Sequence, residues 1–80
     1  MDNIEKLLRK IRPYDRSIIL LALQQIFRRD FTGLDLKKLK GYLHIFRVRV
    51  GNYRIIYFDD GQEIILKAIK RRDESTYSDF

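Results

Sequence analysis

The chain has 80 residues, a formal net charge of +6, a sequence pI of about 9.8 and no cysteine. Its length allows one small domain, and the lack of cysteine excludes disulfides, thiolate catalysis and zinc–cysteine sites. A single His and unclustered carboxylates predict neither a metal site nor a metal cofactor.

The charge and hydropathy pattern favour a folded domain with a polyanionic partner. Lys and Arg number 17 against 11 Asp and Glu, while 45% of the residues are apolar. The N-terminus Met1-Asp2-Asn3-Ile4-Glu5 is acidic and polar, unlike a signal peptide. The longest apolar run, residues 18–23, is too short to span a membrane. We therefore expect a cytoplasmic protein without a membrane partner.

The first predicted element is a helical hairpin at about residues 2–29. Asp2 and Glu5 have the spacing of a capping box, and Pro13 separates this first helix from a second, predicted at residues 14–29. Apolar residues of the second helix cover more than one stripe. Either the helix packs on both the first helix and a sheet, or one face receives another chain.

A three-stranded antiparallel meander is predicted next, with strands at about residues 43–50, 53–58 and 63–69. Gly51-Asn52 predicts a two-residue turn of type II′, with Gly51 at positive φ, which places Arg49 opposite Arg54. Asp60-Gly61 predicts a second two-residue turn, which places Arg54 opposite Lys67. Like charges directly opposite one another destabilise a sheet, so this row of cations predicts an anion site, most plausibly for phosphate.

Alternation along the strands divides the predicted sheet into two faces. The set facing the helices is Phe46, Val48, Val50, Tyr53, Ile55, Tyr57, Ile64, Leu66 and Ala68. The opposite face has a basic end with Arg47, Arg49, Arg54, Lys67 and Arg71. Its apolar end has Ile45, Ile56, Phe58 and Ile65. An exposed apolar patch beside an unpaired strand edge is typical of a partner site.

Two segments carry a resemblance to a known family. Residues 39–41, L-K-G, followed by residues 46–57, F-R-V-R-V-G-N-Y-R-I-I-Y, resemble the RelE/ParE family of toxin–antitoxin toxins. The tail at residues 70–77, K-R-R-D-E-S-T-Y, is similar to the basic cluster and Tyr that close that family's sequences. The resemblance implies an α+β fold: one RelE-like domain over residues 1–80, with a helical hairpin on one face of the sheet and a catalytic tail at 70–80. Family members usually begin with a β-strand, which the predicted fold lacks.

The resemblance also implies an activity and partners. These are ribosome-dependent cleavage of mRNA by an endoribonuclease, and a cognate antitoxin that inhibits it. By position, Arg54 matches the family's arginine on the second central strand, and Arg71 and Tyr77 match its terminal Arg and Tyr. Arg47 and Arg49 stand where members often have Lys. Because Arg keeps its proton near neutral pH, a general-base role of those lysines does not transfer.

Cleavage without a metal by 2′-OH attack on the adjacent phosphate requires proton removal, stabilisation of the phosphorane and protonation of the leaving 5′-oxygen. The predicted catalytic residues are Arg54 for transition-state stabilisation, Arg71 as a second clamp, Tyr77 for base stacking or as general base, and Lys67 as acid or base. The predicted RNA and phosphate contacts are Arg47, Arg49, Arg72, Lys70 and Lys40. The predicted antitoxin contacts are the apolar end of the open face, Ile45, Ile56, Phe58 and Ile65.

Other interpretations stay open at this point. A ParE-like toxin of the same fold would inhibit DNA gyrase and need no RNA-cleaving side chains. A catalytically inactive module would bind nucleic acid only. The arginines would then be a solvated basic face.

Overall fold

A computed structural model describes residues 8–9 and 11–71 of the chain. Its elements are α1 (Pro13–Phe27), β1 (Asp35–Lys38), β2 (Ile45–Val50), β3 (Tyr53–Asp59) and β4 (Ile64–Arg71). The strands form one antiparallel sheet in the order β1-β2-β3-β4. The predicted α+β architecture is confirmed, but the sheet has four strands instead of three.

Part of the prediction lies outside the described residues. Leu8 and Arg9 are helical, while the rest of the predicted first helix, the segment where a family member has its first strand, and residues 72–80 are not described. Arg72 and Tyr77 belong to that last segment. No helix in the described part of the chain is long and apolar enough to cross a membrane.

Helix α1 begins and ends where its sequence provides the signals. Pro13 occupies the first turn, where a missing N–H costs nothing. At the other end the backbone N–H of Arg28 bonds the carbonyl groups of the last turn, and Arg29 turns the chain with φ of 55°. Arg29 then donates to Asp59 Oδ1 at 2.9 Å, which ties the end of α1 to the end of β3.

One face of α1 packs on one face of the sheet and forms the main core. The helix contributes Ile19, Ala22, Leu23 and Ile26, and the sheet contributes Val48, Tyr53, Ile55, Tyr57 and Leu66. The Tyr53 hydroxyl donates to Asp15 Oδ2 at 3.4 Å. The helix-facing set predicted from alternation is therefore confirmed along β2, β3 and the first part of β4.

The β2–β3 hairpin has the predicted register. Val50 pairs with Tyr53 and Arg49 with Arg54. Gly51 has φ of 57°, and Asn52 is not among the described residues with positive φ, as a type II′ turn requires. A Cβ at Gly51 would also meet Ile18 Cδ1 at 3.2 Å, so this turn packs on α1.

The β3–β4 hairpin differs from its prediction. Its loop spans residues 60–63, because Asp60 accepts backbone N–H bonds from Gln62 and Glu63 at 2.9 and 3.0 Å. Farther along, Tyr57 pairs with Leu66 and Ile56 with Ala68. Lys67 is therefore the extra residue of a β-bulge. Arg54 pairs with Lys70, and its predicted pairing with Lys67 is wrong.

The bulge reverses the alternation beyond Leu66. Ala68, predicted on the helix side, instead joins Ile45 and Ile56 in a second buried cluster on the other face, against which Leu39 and Phe58 pack. Ile69 packs against the main core, and Arg71 pairs with Tyr53. Strand alternation thus assigns Arg71 to the helix side, and its predicted place on the open face is wrong.

Candidate functional site

A row of charged residues crosses the sheet on the face away from α1. Asp35 on β1 pairs with Arg49 on β2, Arg49 pairs with Arg54 on β3, and Arg54 pairs with Lys70 on β4. The repulsive row predicted from the sequence is present, with Lys70 in the place expected for Lys67. The single carboxylate stands at the β1 edge of the row.

The one acidic member only partly neutralises its neighbour. Asp35 Oδ2 lies 3.8 Å from Arg49 Nη1, and both side chains are about half exposed, at 57% and 42%. An exposed ion pair of this length contributes little to stability. The side chain of Arg49 thus keeps one side open to solvent and to an incoming anion.

These arginines form one wall of an open cleft of about 980 Å³. The rest of the lining comes from the neighbouring strand β1 and the loop that follows it. The lining residues are Lys37, Lys38, Leu39, Lys40, Gly41, Tyr42, Leu43, Arg47, Arg49 and Arg54. Six of these ten side chains are cationic, and no described residue lining the cleft is a His or a carboxylate. Clefts lined by one sign of charge focus the field and attract counter-ions.

Arg47 occupies an unusual position in this cleft. It is 6% exposed, and its Nη1 has no hydrogen-bond partner among the described residues. Its Cα partners are Lys37 and Ile56. Burying an unpaired donor of a charged group is costly, so Arg47 is a donor placed inside the cleft before any ligand arrives.

The predicted site residues divide into three groups. Arg47, Arg49 and Arg54, together with Lys40, line the cleft, and Lys70 is the Cα partner of Arg54. Lys67 and Arg71 are exposed but belong to the bulge and to the helix side of the sheet. Arg72 and Tyr77 lie outside the described residues, so their roles stay predictions.

The predicted apolar patch is largely closed within the chain. Ile45 is 6% exposed and Ile56 is fully buried, so the expectation that both lie on an open surface is wrong. Phe58 is half-buried and makes an edge-to-face contact with His44, with ring centroids 5.7 Å apart. Ile65 alone of the four is exposed, at 41%. A physical reason is that Leu39, on the segment joining β1 to β2, packs over this end of the face.

Sequence reasoning identified Lys40 on this part of the cleft as a phosphate contact but did not place Tyr42 or Leu43 in the cleft. Lys37 faces the open side because it pairs with Arg47, and it adds a cation beside the arginines. Leu43, predicted within the first strand, instead precedes β2, and Tyr42 and Leu43 line the cleft with 37% and 75% of their surface exposed. Only the pairing of β1 with β2 reveals these positions, and the short segment L-K-K does not alternate as a strand usually does.

Two groups outside the cleft have a shifted pKa. Burial, and secondarily the charge of Asp59, raise the pKa of Tyr57 to about 12, opposed by the Arg29 guanidinium. The N–H groups of Glu63 and Gln62 lower the pKa of Asp60. Neither residue lines the cleft, so these shifts give no evidence about a reaction there.

Comparison with known proteins supports the class that this fold suggests. No family model matches the chain. Over 47 residues it is 47% identical to Toxin RelE3 of Methanocaldococcus jannaschii, a stretch covering 59% of this chain and 52% of that protein. The chain thus spans about half the length of this curated relative.

A solved structure extends the comparison over most of the chain. The fold matches a chain in the crystal structure of the RelB–RelE antitoxin–toxin complex from Methanococcus jannaschii with a TM-score of 0.75 and 31% identity. The match covers 90% of this chain and 87% of that one. The chain belongs to the RelE family of toxins of toxin–antitoxin systems.

Proposed function

We propose that this chain is the toxin of a toxin–antitoxin pair and that it cleaves mRNA on the ribosome without a metal ion. The observation that carries the proposal is the set of three arginines, Arg47, Arg49 and Arg54, on one wall of a basic cleft. Arginine forks match phosphate oxygens and stay charged at any physiological pH. Membership of the RelE family supports the same class of activity.

In the proposed reaction the 2′-oxygen of one nucleotide attacks the adjacent phosphorus, and the 5′-oxygen of the next nucleotide leaves. Arg54, flanked by Arg49 and Lys70 across the sheet, stabilises the negative charge that grows on the phosphorane oxygens. Arg47 donates from the interior of the cleft. Lys37 and Lys40, on β1 and the loop that follows it, bind flanking phosphates.

The proton transfers need groups other than these arginines, since a guanidinium does not exchange its proton near neutral pH. Tyr77 remains the proposed base or stacking residue and Arg72 a proposed RNA contact. Arg71 loses its predicted role as a second clamp, because it pairs with Tyr53 on the helix side of the sheet. Lys67 is a weaker candidate for the acid or base than the sequence alone indicates, because the bulge removes it from the row of charged residues that contains Arg54.

The proposed partners are the ribosome with its mRNA and a cognate antitoxin. The matched crystal structure is that of an antitoxin–toxin complex. We propose that an antitoxin binds this chain as well, at the exposed part of the predicted patch around Ile65 and at the basic cleft. Acidic side chains that reach the cleft would occupy the phosphate site.

The test is translation in a cell-free system with cleavage sites mapped by primer extension. Arg54→Ala should fold and lose at least about 100-fold in cleavage rate, since it deletes a fixed charge aimed at the transition state. Arg28→Ala, an exposed arginine beyond the end of α1, is the matched control and should keep full activity.

Three results would contradict the proposal. Full cleavage by a folded Arg54→Ala variant would remove the catalytic assignment. Normal translation combined with arrested DNA supercoiling would identify the gyrase-inhibiting branch of the fold instead. RNA binding without cleavage would identify an inactive module.

A further inference from the structure

The loop between β1 and β2 places exposed apolar surface at a basic cleft. Tyr42 is 37% exposed and Leu43 is 75% exposed, and both line the cleft beside Lys40 and Arg47. Leu43 contributes little to the core at this exposure, and Tyr42 keeps more than a third of its surface open beside the cations. This combination points to a ligand with both a negative charge and a flat apolar face.

The loop holds these side chains in place from both ends. Leu39 N donates to Ile45 O at 2.9 Å, and Asp59 N donates to His44 O at 2.9 Å. Between the anchors, Gly41 has φ of 86°, a conformation that favours glycine, and Tyr42 N donates to Leu39 O at 3.4 Å. Leu39 packs against the second buried cluster. The aromatic ring is thus carried on a turn whose backbone is already ordered.

We propose that Tyr42, with Leu43 beside it, is a stacking platform for an unpaired base of the RNA bound in the cleft. This inference rests on the proposed function and adds a substrate class: single-stranded RNA with a splayed base next to the phosphates held by the arginines. Basic grooves that track a backbone, combined with aromatic side chains on which bases stack, are the usual means of binding single-stranded nucleic acid. Sequence-specific RNA recognition likewise uses unstacked bases.

The direct test measures binding by the full chain to an all-2′-O-methyl oligoribonucleotide, which 2′-OH attack cannot cleave. A 2-aminopurine in the oligonucleotide reports stacking through its fluorescence, and a duplex of the same sequence offers no unpaired base. Tyr42→Ala should lose about tenfold in affinity for the single strand, lose the fluorescence change, and leave duplex binding unaltered. Tyr42→Phe should keep both signals, because the ring and not the hydroxyl stacks.

Salt dependence separates stacking from charge. Tyr42→Ala should leave the slope of log affinity against log salt unchanged, whereas Lys37→Ala should reduce it by about 0.7, the value for one phosphate contact on a single strand. Tyr14→Ala, an exposed tyrosine on α1, is the matched control and should change neither affinity nor slope.

Three results would overturn the inference. These are an equal loss for single strand and duplex in Tyr42→Ala, a loss of the same size in Tyr42→Phe, and no saturable binding of the oligonucleotide by the unsubstituted protein at low salt. Failure of the proposed function is distinguished by the primer-extension assay with Arg54→Ala, which does not depend on Tyr42.

Discussion

Arg47 joins two properties that oppose each other. Its side chain is 94% removed from solvent, since 6% remains exposed, yet its Nη1 finds no acceptor among the described residues. Replacing a buried, incompletely paired charge by an apolar side chain of similar volume is often neutral or stabilising. The arginine is therefore better explained by a ligand than by folding.

We expect Arg47→Met to raise the free energy of unfolding by about 1 kcal/mol or more and to weaken RNA binding. Urea denaturation and the oligonucleotide titration measure the two effects. Arg49→Met is the matched control: its side chain is 42% exposed, so stability should change by less than about 0.5 kcal/mol while RNA binding still falls. A large destabilisation by Arg47→Met would mean that the guanidinium belongs to the core.

The burial of Tyr57 affects the stability of the protein at alkaline pH. Its pKa is raised from 10.0 to about 12, first by burial and then by Asp59. The folded pKa lies above the unfolded one, so the unfolded chain releases its proton first. The contribution of Tyr57 to stability is therefore complete below about pH 10 and is lost as the pH rises towards 12.

We expect Tyr57→Phe to flatten the decline of stability between about pH 10 and 12, as followed by urea denaturation at a series of pH values. Phe keeps the stacked contact with Phe46, whose ring centroid lies 5.5 Å away. Tyr14→Phe, at an exposed position on α1, should follow the unsubstituted curve. An equally steep decline in Tyr57→Phe would assign the alkaline transition to other groups.

The alternation of side chains along β4 reverses at Lys67, the extra residue of the bulge. Leu66 contacts the main core opposite Tyr57, while Ala68 lies in the second cluster opposite Ile56. Lys67 has no partner on β3, so both halves of the strand would keep their present pairing without it. Deletion of a paired residue of β4 would instead shift the pairing of part of the strand.

We expect deletion of Lys67 to leave a folded protein that loses about 1 kcal/mol. Deletion of Ala68 is the matched control, because it removes one residue from the same strand but brings the Lys67 side chain opposite the buried Ile56. It should lose about 2–3 kcal/mol more, since a charge is then buried. Thermal melts compare the two. Equal stabilities would show that β4 does not bulge at Lys67.

The two hairpins show how far local sequence determines pairing. Gly51-Asn52 joins strands whose register is correctly predicted, because a two-residue turn with positive φ at Gly51 fixes which residues of the two strands pair. At Asp60-Gly61 the Asp60 carboxylate instead captures two N–H groups and lengthens the loop. That side-chain choice, like the bulge, has no distinct sequence signal.

The candidate site was accordingly predictable in part. The juxtaposition of Arg49 and Arg54 follows from the first hairpin alone. Lys40 was predicted as a phosphate contact, whereas the place of Lys37 beside Arg47 depends on β1 pairing with β2, which a short Lys-rich segment does not indicate. The exposure of Ile45 and Ile56 was wrongly predicted because strand alternation does not reveal that Leu39 packs over them.

In our proposal one side of the whole protein binds both the RNA and an antitoxin. Ile65 is the exposed member of the predicted apolar patch, at 41%, and lies opposite Phe58. An exposed apolar side chain of this kind can contact an inhibitor without supporting the fold.

We expect Ile65→Asp to weaken neutralisation by antitoxin at least tenfold, the loss that about 1.4 kcal/mol represents, with little change in cleavage or thermal stability. The measurement is the antitoxin concentration that restores cell-free translation. Leu21→Asp, at an exposed apolar position on α1, is the comparison. If Leu21→Asp weakens neutralisation and Ile65→Asp does not, the inhibitor binds the helix and not this edge of the sheet.

The order of the strands in the sheet is also their order in the chain. Every pairing therefore closes a short loop, and closing short loops costs less conformational entropy than joining distant segments. All residues that line the cleft fall between Lys37 and Arg54, within one contiguous stretch. Formation of the cleft therefore needs only pairings between strands that are neighbours in the sequence, and we expect the cleft to be among the first parts of the protein to refold from denaturant.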